Sequence, residues 1–202
     1  MGADTLTARD ILGVVLAGGR SRRFGCDKAI AQLDNRQLIE HVVARAKPQV
    51  GILAISGRDY GLGLPLIPDA MASEGPLTGV VSAMQWAETA GFSAVATFSC
   101  DTPFFPADLV ARLAAKLTPA SGCSFASTCG TRHPVFALWR ISVLGRLQED
   151  YTTGIRSLMA AQDRIGAVAT VFDEGPGPGG DMFFNINSRA EQALAQAWLA
   201  AS

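Results

Sequence analysis

Ile11-Leu12-Gly13-Val14-Val15-Leu16-Ala17-Gly18-Gly19-Arg20-Ser21-Arg22-Arg23-Phe24-Gly25-Cys26-Asp27-Lys28 is the stretch on which the reading of this chain turns. Its first seven residues form an apolar run without alternation, the pattern of a strand buried on both faces. The run stops at Gly18-Gly19. A polar loop with three arginines follows, closed by Lys28. Glycines at the carboxyl end of a strand let backbone N–H groups approach a phosphate chain with no Cβ in the way. Arginine and lysine just beyond supply the charge that phosphates call for. A strand with an exposed basic turn is the plainer alternative; the density of cations in the loop favours a phosphate site. The loop is not a Walker sequence, because Lys28 follows Asp27 rather than glycine, and it lacks the G-x-G-x-x-G spacing.

The rest of the chain sets that loop in contrast. The 202 residues carry a net charge of −1 and are 49% hydrophobic. The basic cluster is therefore local, and nucleic acid is not expected as a partner. The length suits one sizeable core, so one domain over residues 1–202 is expected, with residues 1–10 as a flexible tail. No apolar run approaches the roughly 18 residues that span a bilayer. The polar start lacks the basic-then-apolar order of a signal peptide. No membrane association and a cytoplasmic location are expected. Cys26, Cys100, Cys123 and Cys129 form no C-x-x-C pair. Cys123 and Cys129 are spaced for a hairpin pair or for nothing, and reduced thiols are the default.

Strands and helices alternate along the chain. Leu38, Ile39, Val42, Val43 and Ala46 give helical spacing over Gln37–Ala46, stopped by Pro48. Ile52–Ile55 and Leu64–Ile67 read as short strands, Pro76–Ala90 as a helix with proline in its first turn, and Ala94–Ser99 as a buried strand. A helix over Ala107–Leu117 follows. Ser124–Ser127 and Pro134–Trp139 read as paired strands across a Cys129-Gly130-Thr131-Arg132 turn. Ile141–Glu149 and Ile155–Gln162 read as helices, Ile165–Phe172 as a strand, Asp173–Asp181 as an irregular loop and Phe183–Ile186 as a short strand. Ser188, with Glu191 three residues on, caps a last helix over Ala190–Ala200. This order predicts an α/β domain whose largely parallel sheet is covered on both faces. Ligands of such sheets sit outside the carboxyl ends of strands, where Gly18–Lys28, Asp69 and Asp101 all fall.

Asp101 lies in Cys100-Asp101-Thr102-Pro103, just past a strand. From position alone it reads either as a carboxylate for hard Mg²⁺ or as the N-cap of the helix after Pro106. Asp69, after Leu66-Ile67-Pro68, reads equally as a turn residue. Arg132-His133-Pro134 and Gly154-Ile155-Arg156 read first as a surface turn and a helix start, and only second as substrate contacts. His41 reads as structural or solvent-facing, and Trp86, Trp139 and Trp198 as core or helix-face residues.

The leading stretch resembles the L-A-G-G-x-S-x-R-[MF]-G-x-D-K signature of nucleotidyltransferases with a Rossmann-like domain, and among them most the molybdenum cofactor guanylyltransferases. Cys100-Asp101-Thr102-Pro103 resembles their C-D-[TM]-P segment, Gly75-Pro76-Leu77-Thr78-Gly79 their G-P-L-x-G loop, and Phe183-Phe184-Asn185-Ile186-Asn187-Ser188 their F-x-N-x-N-[ST] pattern. The resemblance implies a three-layer α/β/α fold of the nucleotide-diphospho-sugar transferase type, with a mixed sheet and one reversed strand. It implies transfer of GMP from GTP to the terminal phosphate of molybdenum-bearing molybdopterin, with release of pyrophosphate. It places Leu16, Ala17, Gly18, Gly19, Lys28, Asp69 and Asp101 at the nucleotide. Lys28, Arg22 and Asp101 are then the catalytic set, Asp101 holds Mg²⁺, and Asn185 and Asn187 bind the pterin. Transient contact with molybdenum-insertion proteins and molybdoenzyme chaperones is implied as well. Where the family often has an asparagine after its second strand, this chain reads Ala54-Ile55-Ser56-Gly57-Arg58. Leu16-Ala17-Gly18-Gly19 looks like the guanylyl type, whereas cytidylyl relatives more often show L-A-A-G. A cytidylyl- or uridylyltransferase acting on another phosphate is the alternative enzyme. A non-catalytic nucleotide-binding homologue is the other alternative, against which the joint presence of Lys28 and Asp101 counts.

Overall fold

The computed structural model describes residues 6–18, 27–68, 75–118 and 120–201. Its strands are Ile11–Leu16 (β1), Gln32–Leu33 (β2), Arg36–Gln37 (β3), Ile52–Ser56 (β4), Leu66–Ile67 (β5), Ala94–Ser99 (β6), Cys123–Thr128 (β7), Thr131–Arg140 (β8) and Val168–Phe172 (β9). Its α-helices are Leu38–Ala46 (α1), Pro76–Thr89 (α2), Leu109–Lys116 (α3), Leu144–Thr152 (α4), Leu158–Arg164 (α5) and Arg189–Ala201 (α6).

The apolar run that opens the chain lies in the middle of a seven-stranded sheet ordered β5-β4-β1-β6-β8-β7-β9. β1 pairs in parallel with β4 on one side and β6 on the other, so both of its edges and both of its faces are covered. Successive side chains of β1 go to opposite faces. Ile11 and Val15 join a core with Ile39 and Val42 of α1 and Leu109, Val110 and Leu113 of α3. Leu12 and Val14 join another with Leu77, Val80 and Met84 of α2, Leu147 of α4 and Leu158 of α5. The result is the expected three-layer arrangement. Phe98 and Phe105 are fully buried, their rings 5.3 Å apart. Burial of each such ring is worth roughly 1.5–3 kcal/mol.

β8 is the reversed strand that the resemblance implies: it runs antiparallel to both β6 and β7. It pairs with β6 only over Ala137–Arg140. Its first residues therefore continue past the carboxyl end of β6. Inside the sheet the fully buried Trp139 donates from Nε1 to Thr97 Oγ1 at 3.2 Å, and that hydroxyl donates to the Val135 carbonyl at 2.5 Å. At the β9 edge, Arg112 lies over the Phe172 ring and donates to the Val171 carbonyl at 2.9 Å. This occupies a backbone acceptor that an open edge would offer to another chain.

Several boundaries differ from the sequence reading. The predicted strand Phe183–Ile186 does not form. Asp181 holds this segment in a turn instead, accepting from Phe183 N through its side chain at 2.8 Å and from Phe184 N through its carbonyl at 3.2 Å. Ile186 N is spent on the Asp101 carbonyl at 2.9 Å. The helix expected from Ile155 starts at Leu158, because Ser157 is its N-cap and accepts from Ala160 N. Before it, Ile155 N turns back to the Asp150 carbonyl at 2.9 Å. The strand expected from Ile165 starts at Val168, and Ile141–Val143 form a 3-10 turn ahead of α4. The β2–β3 hairpin was not expected; Asp34 and Asn35 carry its turn with φ of 48° and 60°. Cys123 and Cys129 stand at opposite ends of β7 and form no disulfide.

Candidate active site

Three parallel strands end side by side, and the loops that follow them make the site. Ala17 N donates to the Ser56 carbonyl at 2.9 Å, which ties the exit of β1 to the exit of β4. There the backbones nearly touch. Gly57 has φ of +116°, and a Cβ on it would lie 2.8 Å from Gly18 N. Only glycine fits such an approach. A Cβ on Gly18, by contrast, would meet nothing within 4 Å among the described residues, the open approach that a backbone cradle for phosphate requires.

The amino end of α2 closes in from one side. Its Gly79 packs so tightly that a Cβ there lies 3.1 Å from Leu16 Cδ2 and Ser56 Oγ. Next to it, Thr78 holds a buried hydroxyl with no hydrogen-bond partner among the described residues. A helix start concentrates unpaired N–H groups and partial positive charge. α2 therefore adds polarity suited to an anionic ligand.

At the end of β6 stands Asp101, 8% exposed. It does not cap a helix, because α3 begins only at Leu109. Its Oδ1 accepts from Ser99 Oγ at 2.5 Å and from Thr102 Oγ1 at 3.4 Å. Its Oδ2 faces Lys28 Nζ at 3.5 Å. Lys28 in turn donates to the side-chain carbonyl of Asn187. Asn187 is fixed by its own backbone N–H, which donates to Glu191 Oε2 at 2.8 Å; Ser188 Oγ donates to the same oxygen and accepts from Glu191 N. The capping residues of α6 thus set the position of a residue that touches Lys28.

Asp27 lies beside this group. Its Oδ1 accepts from Ala29 N and starts the 3-10 turn Lys28–Ile30. Its Oδ2 accepts from Tyr60 Oη at 3.0 Å and Arg58 Nη1 at 3.2 Å. Burial, and then the bond to Asp27, hold the Tyr60 phenol well above its ordinary value, so it stays a donor. Burial, followed by the charge of Asp101, pushes the Cys100 thiol up to about 12. Cys100 is therefore a neutral thiol at physiological pH and no nucleophile.

What this arrangement can do is bind a polyphosphate between backbone donors and a lysine, beside one oriented carboxylate. The family description MobA-like NTP transferase domain matches residues 13–165. The chain belongs to this family of nucleotidyltransferases. A molybdenum cofactor guanylyltransferase of Rhizobium leguminosarum bv. trifolii is 40% identical over 200 residues, covering 95% of this chain and 94% of the relative. One from Rhodobacter capsulatus is 39% identical over 192 residues, 92% and 95% of the two chains. The crystal structure of molybdopterin-guanine dinucleotide biosynthesis protein A from Archaeoglobus fulgidus superposes with a TM-score of 0.73 at 21% identity, over 95% of this chain and 100% of that one. That likeness shows the fold.

Leu16, Ala17, Gly18, Lys28 and Asp101 fall within the matched MobA-like domain, and Asn187, beyond residue 165, reaches Lys28 from outside it. Gly19, Arg22 and Asp69 lie outside the described residues. Asn185 is exposed and separate from the Lys28 contacts. Arg132 is engaged by Asp163 Oδ1 at 2.6 Å and lies over Phe125, and Arg156 lies over the Tyr151 ring. His133 stacks on Phe183 with centroids 4.4 Å apart and bonds Thr128 Oγ1 through Nε2. His41 is structural, its Nε2 2.7 Å from the Leu33 carbonyl. Ser99, Thr102, Tyr60 and Glu191 act on the site and were not expected. For Ser99 the available signal was its place at the end of a buried strand, two residues before Asp101.

Proposed function

We propose that this protein transfers GMP from GTP to the terminal phosphate of molybdopterin bearing molybdenum, forming the guanine dinucleotide cofactor and releasing pyrophosphate. The observation that carries the reading is the meeting of Lys28 and Asp101, in a chain 40% identical to a molybdenum cofactor guanylyltransferase over 95% of its length.

Among the described residues no three His, Cys, Asp or Glu side chains gather around a point. A lone oriented carboxylate suits Mg²⁺, which is usually held by one or two carboxylates with substrate phosphates completing its shell. Asp101 would hold the ion through Oδ2 while Ser99 and Thr102 steady Oδ1. Bound there, the ion supplies charge neutralisation at the triphosphate. Gly18 N–H donates to a phosphate oxygen, and Lys28 neutralises the charge that grows on the departing pyrophosphate. In-line attack by the pterin phosphate then needs positioning more than covalent help. Arg22 enters this proposal as one of the three arginines of the basic loop, and Asp69 as the aspartate that follows Leu66-Ile67-Pro68. Asn185 and Asn187 are assigned to the pterin side, with Asn187 also touching Lys28. A cytoplasmic location belongs to the same proposal; among the described residues no helix is long and apolar enough to cross a membrane.

A thermal melt tests the nucleotide assignment. A ligand that binds only the folded state raises the melting temperature through RT ln(1+[L]/Kd). GTP with Mg²⁺ is expected to raise it more than CTP, UTP or ATP. Equal shifts for GTP and CTP would sink the guanylyl assignment.

A further inference from the structure

The Lys28 ammonium is held by oxygens in the manner of a small cation. Asp101 Oδ2 is 3.5 Å from it and the Asn187 side-chain carbonyl accepts from it. The other carboxylate oxygen is taken by Ser99 and Thr102. Lys28 therefore occupies the face of Asp101 on which a divalent cation would sit. Resting on the reading of Asp101 given above, we propose that Lys28 gates the metal site. It holds Asp101 until a triphosphate draws its ammonium away, so that the divalent cation enters with the nucleotide and not before it.

Charge and tether both support this. Lys28 and Asp101 sum to zero, and the neighbouring carboxylate of Asp27 is matched by Arg58 at 3.2 Å. A dication arriving alone would meet an ammonium already seated on the carboxylate it needs. The Lys28 and Asp101 side chains are 18% and 11% exposed, so water screens the repulsion between ammonium and dication weakly. A triphosphate brings enough negative charge for both cations. The backbone of Lys28 is pinned, since Asp27 Oδ1 caps its 3-10 turn at Ala29 N, 3.1 Å. Its side chain has four rotatable carbons with which to pass from Asp101 to a phosphate. Asn187 stays behind, held by Glu191.

The test is Mn²⁺ binding, followed by loss of the free Mn²⁺ paramagnetic resonance signal, on the full chain without nucleotide. Wild type is expected to bind weakly. Lys28→Met is expected to bind at least about tenfold more tightly, because the competing charge is gone. Lys28→Gln provides a second neutral side chain should the methionine variant fold poorly. Lys28→Arg, which keeps the charge, is expected to bind as weakly as wild type. Adding Asp101→Asn to Lys28→Met is expected to abolish the gain. At saturating GTP analogue with a methylene α–β bridge, wild type and Lys28→Met are expected to converge. Equal Asp101-dependent binding by wild type and both neutral variants without nucleotide would overturn the gate and leave the metal reading standing. Tight binding by Lys28→Met that survives Asp101→Asn would overturn the metal reading itself, and the gate with it.

Discussion

Lys28 Nζ and Asp101 Oδ2 lie 3.5 Å apart although 73 positions separate the two residues in the chain. A single, largely buried ion pair of this length is weak evidence for stability, because desolvation of both charges offsets their attraction. Its placement is better explained by the anionic ligand it can receive. Lys28 comes from the 3-10 turn capped by Asp27 and Asp101 from the exit of β6, and each is oriented by a neighbour, Asp101 by Ser99 and Lys28 by Asn187.

Asp101→Asn is expected to fold normally and lose divalent-metal-dependent transfer. The amide keeps the size and a carbonyl oxygen that can still accept from Ser99 Oγ, but the charge that holds a hard cation is gone. The expected loss is about three decades in turnover. Melt and turnover on the same preparation check it; near-normal turnover in the folded variant would remove Asp101 from the metal site.

Gly57→Ala is expected to damage both fold and nucleotide binding. The new Cβ must adopt φ near +116° and would meet Gly18 N at 2.8 Å. Strain of this kind costs about 1–3 kcal/mol, and relief by moving Gly18 disturbs the phosphate cradle. Denaturant unfolding and calorimetric titration with GTP measure the two effects. Wild-type values in both would mean that the β1 and β4 exits are not packed as described.

The site was partly legible in the sequence, for physical reasons. Buried parallel strands read as apolar runs, so β1, β4 and β6 and the residues at their ends could be placed from the chain alone. The meeting of Lys28 with Asn187 spans 159 positions, and no periodicity encodes it. Phe183–Ile186 has the composition of a strand, yet Asp181 spends its side chain and carbonyl on bending it and Asp101 takes the Ile186 N–H. Ser157 was overlooked as a cap because Ile155 and Leu158 share the helical spacing. Nothing in the sequence singles out Gly57, because its need for a missing Cβ depends on Gly18, which only the fold brings near.

Thr97→Val is expected to destabilise by about 1–3 kcal/mol, since it leaves the buried Trp139 Nε1–H without its acceptor. Thr97→Ser retains the hydroxyl and should recover much of the loss. Urea unfolding of the pair checks this, and parity of Thr97→Val with wild type would show that another group satisfies the indole.

His133 predicts a pH effect on stability. Burial holds its imidazole below the ordinary value, against an opposing pull from Asp181. As pH falls through about 6.5, the unfolded chain takes up this proton before the folded protein does. The contribution is therefore complete above that pH and is lost as pH falls from there toward the lower folded value. His133→Phe can keep the stack on Phe183 without titrating. Its melting temperature should decline less than that of wild type between about pH 7 and pH 5.5. Parallel declines would show that His133 titrates alike in both states.

The most direct test of the account is a turnover assay. Purified protein is incubated with molybdenum-bearing molybdopterin, Mg²⁺ and each of GTP, CTP, UTP and ATP in turn, and pyrophosphate and the dinucleotide product are quantified by mass spectrometry. The account predicts pyrophosphate and the guanine dinucleotide in equal amounts with GTP, and a far slower reaction with the other three. Product formed as fast from CTP as from GTP, or no pyrophosphate from any of the four, would contradict it.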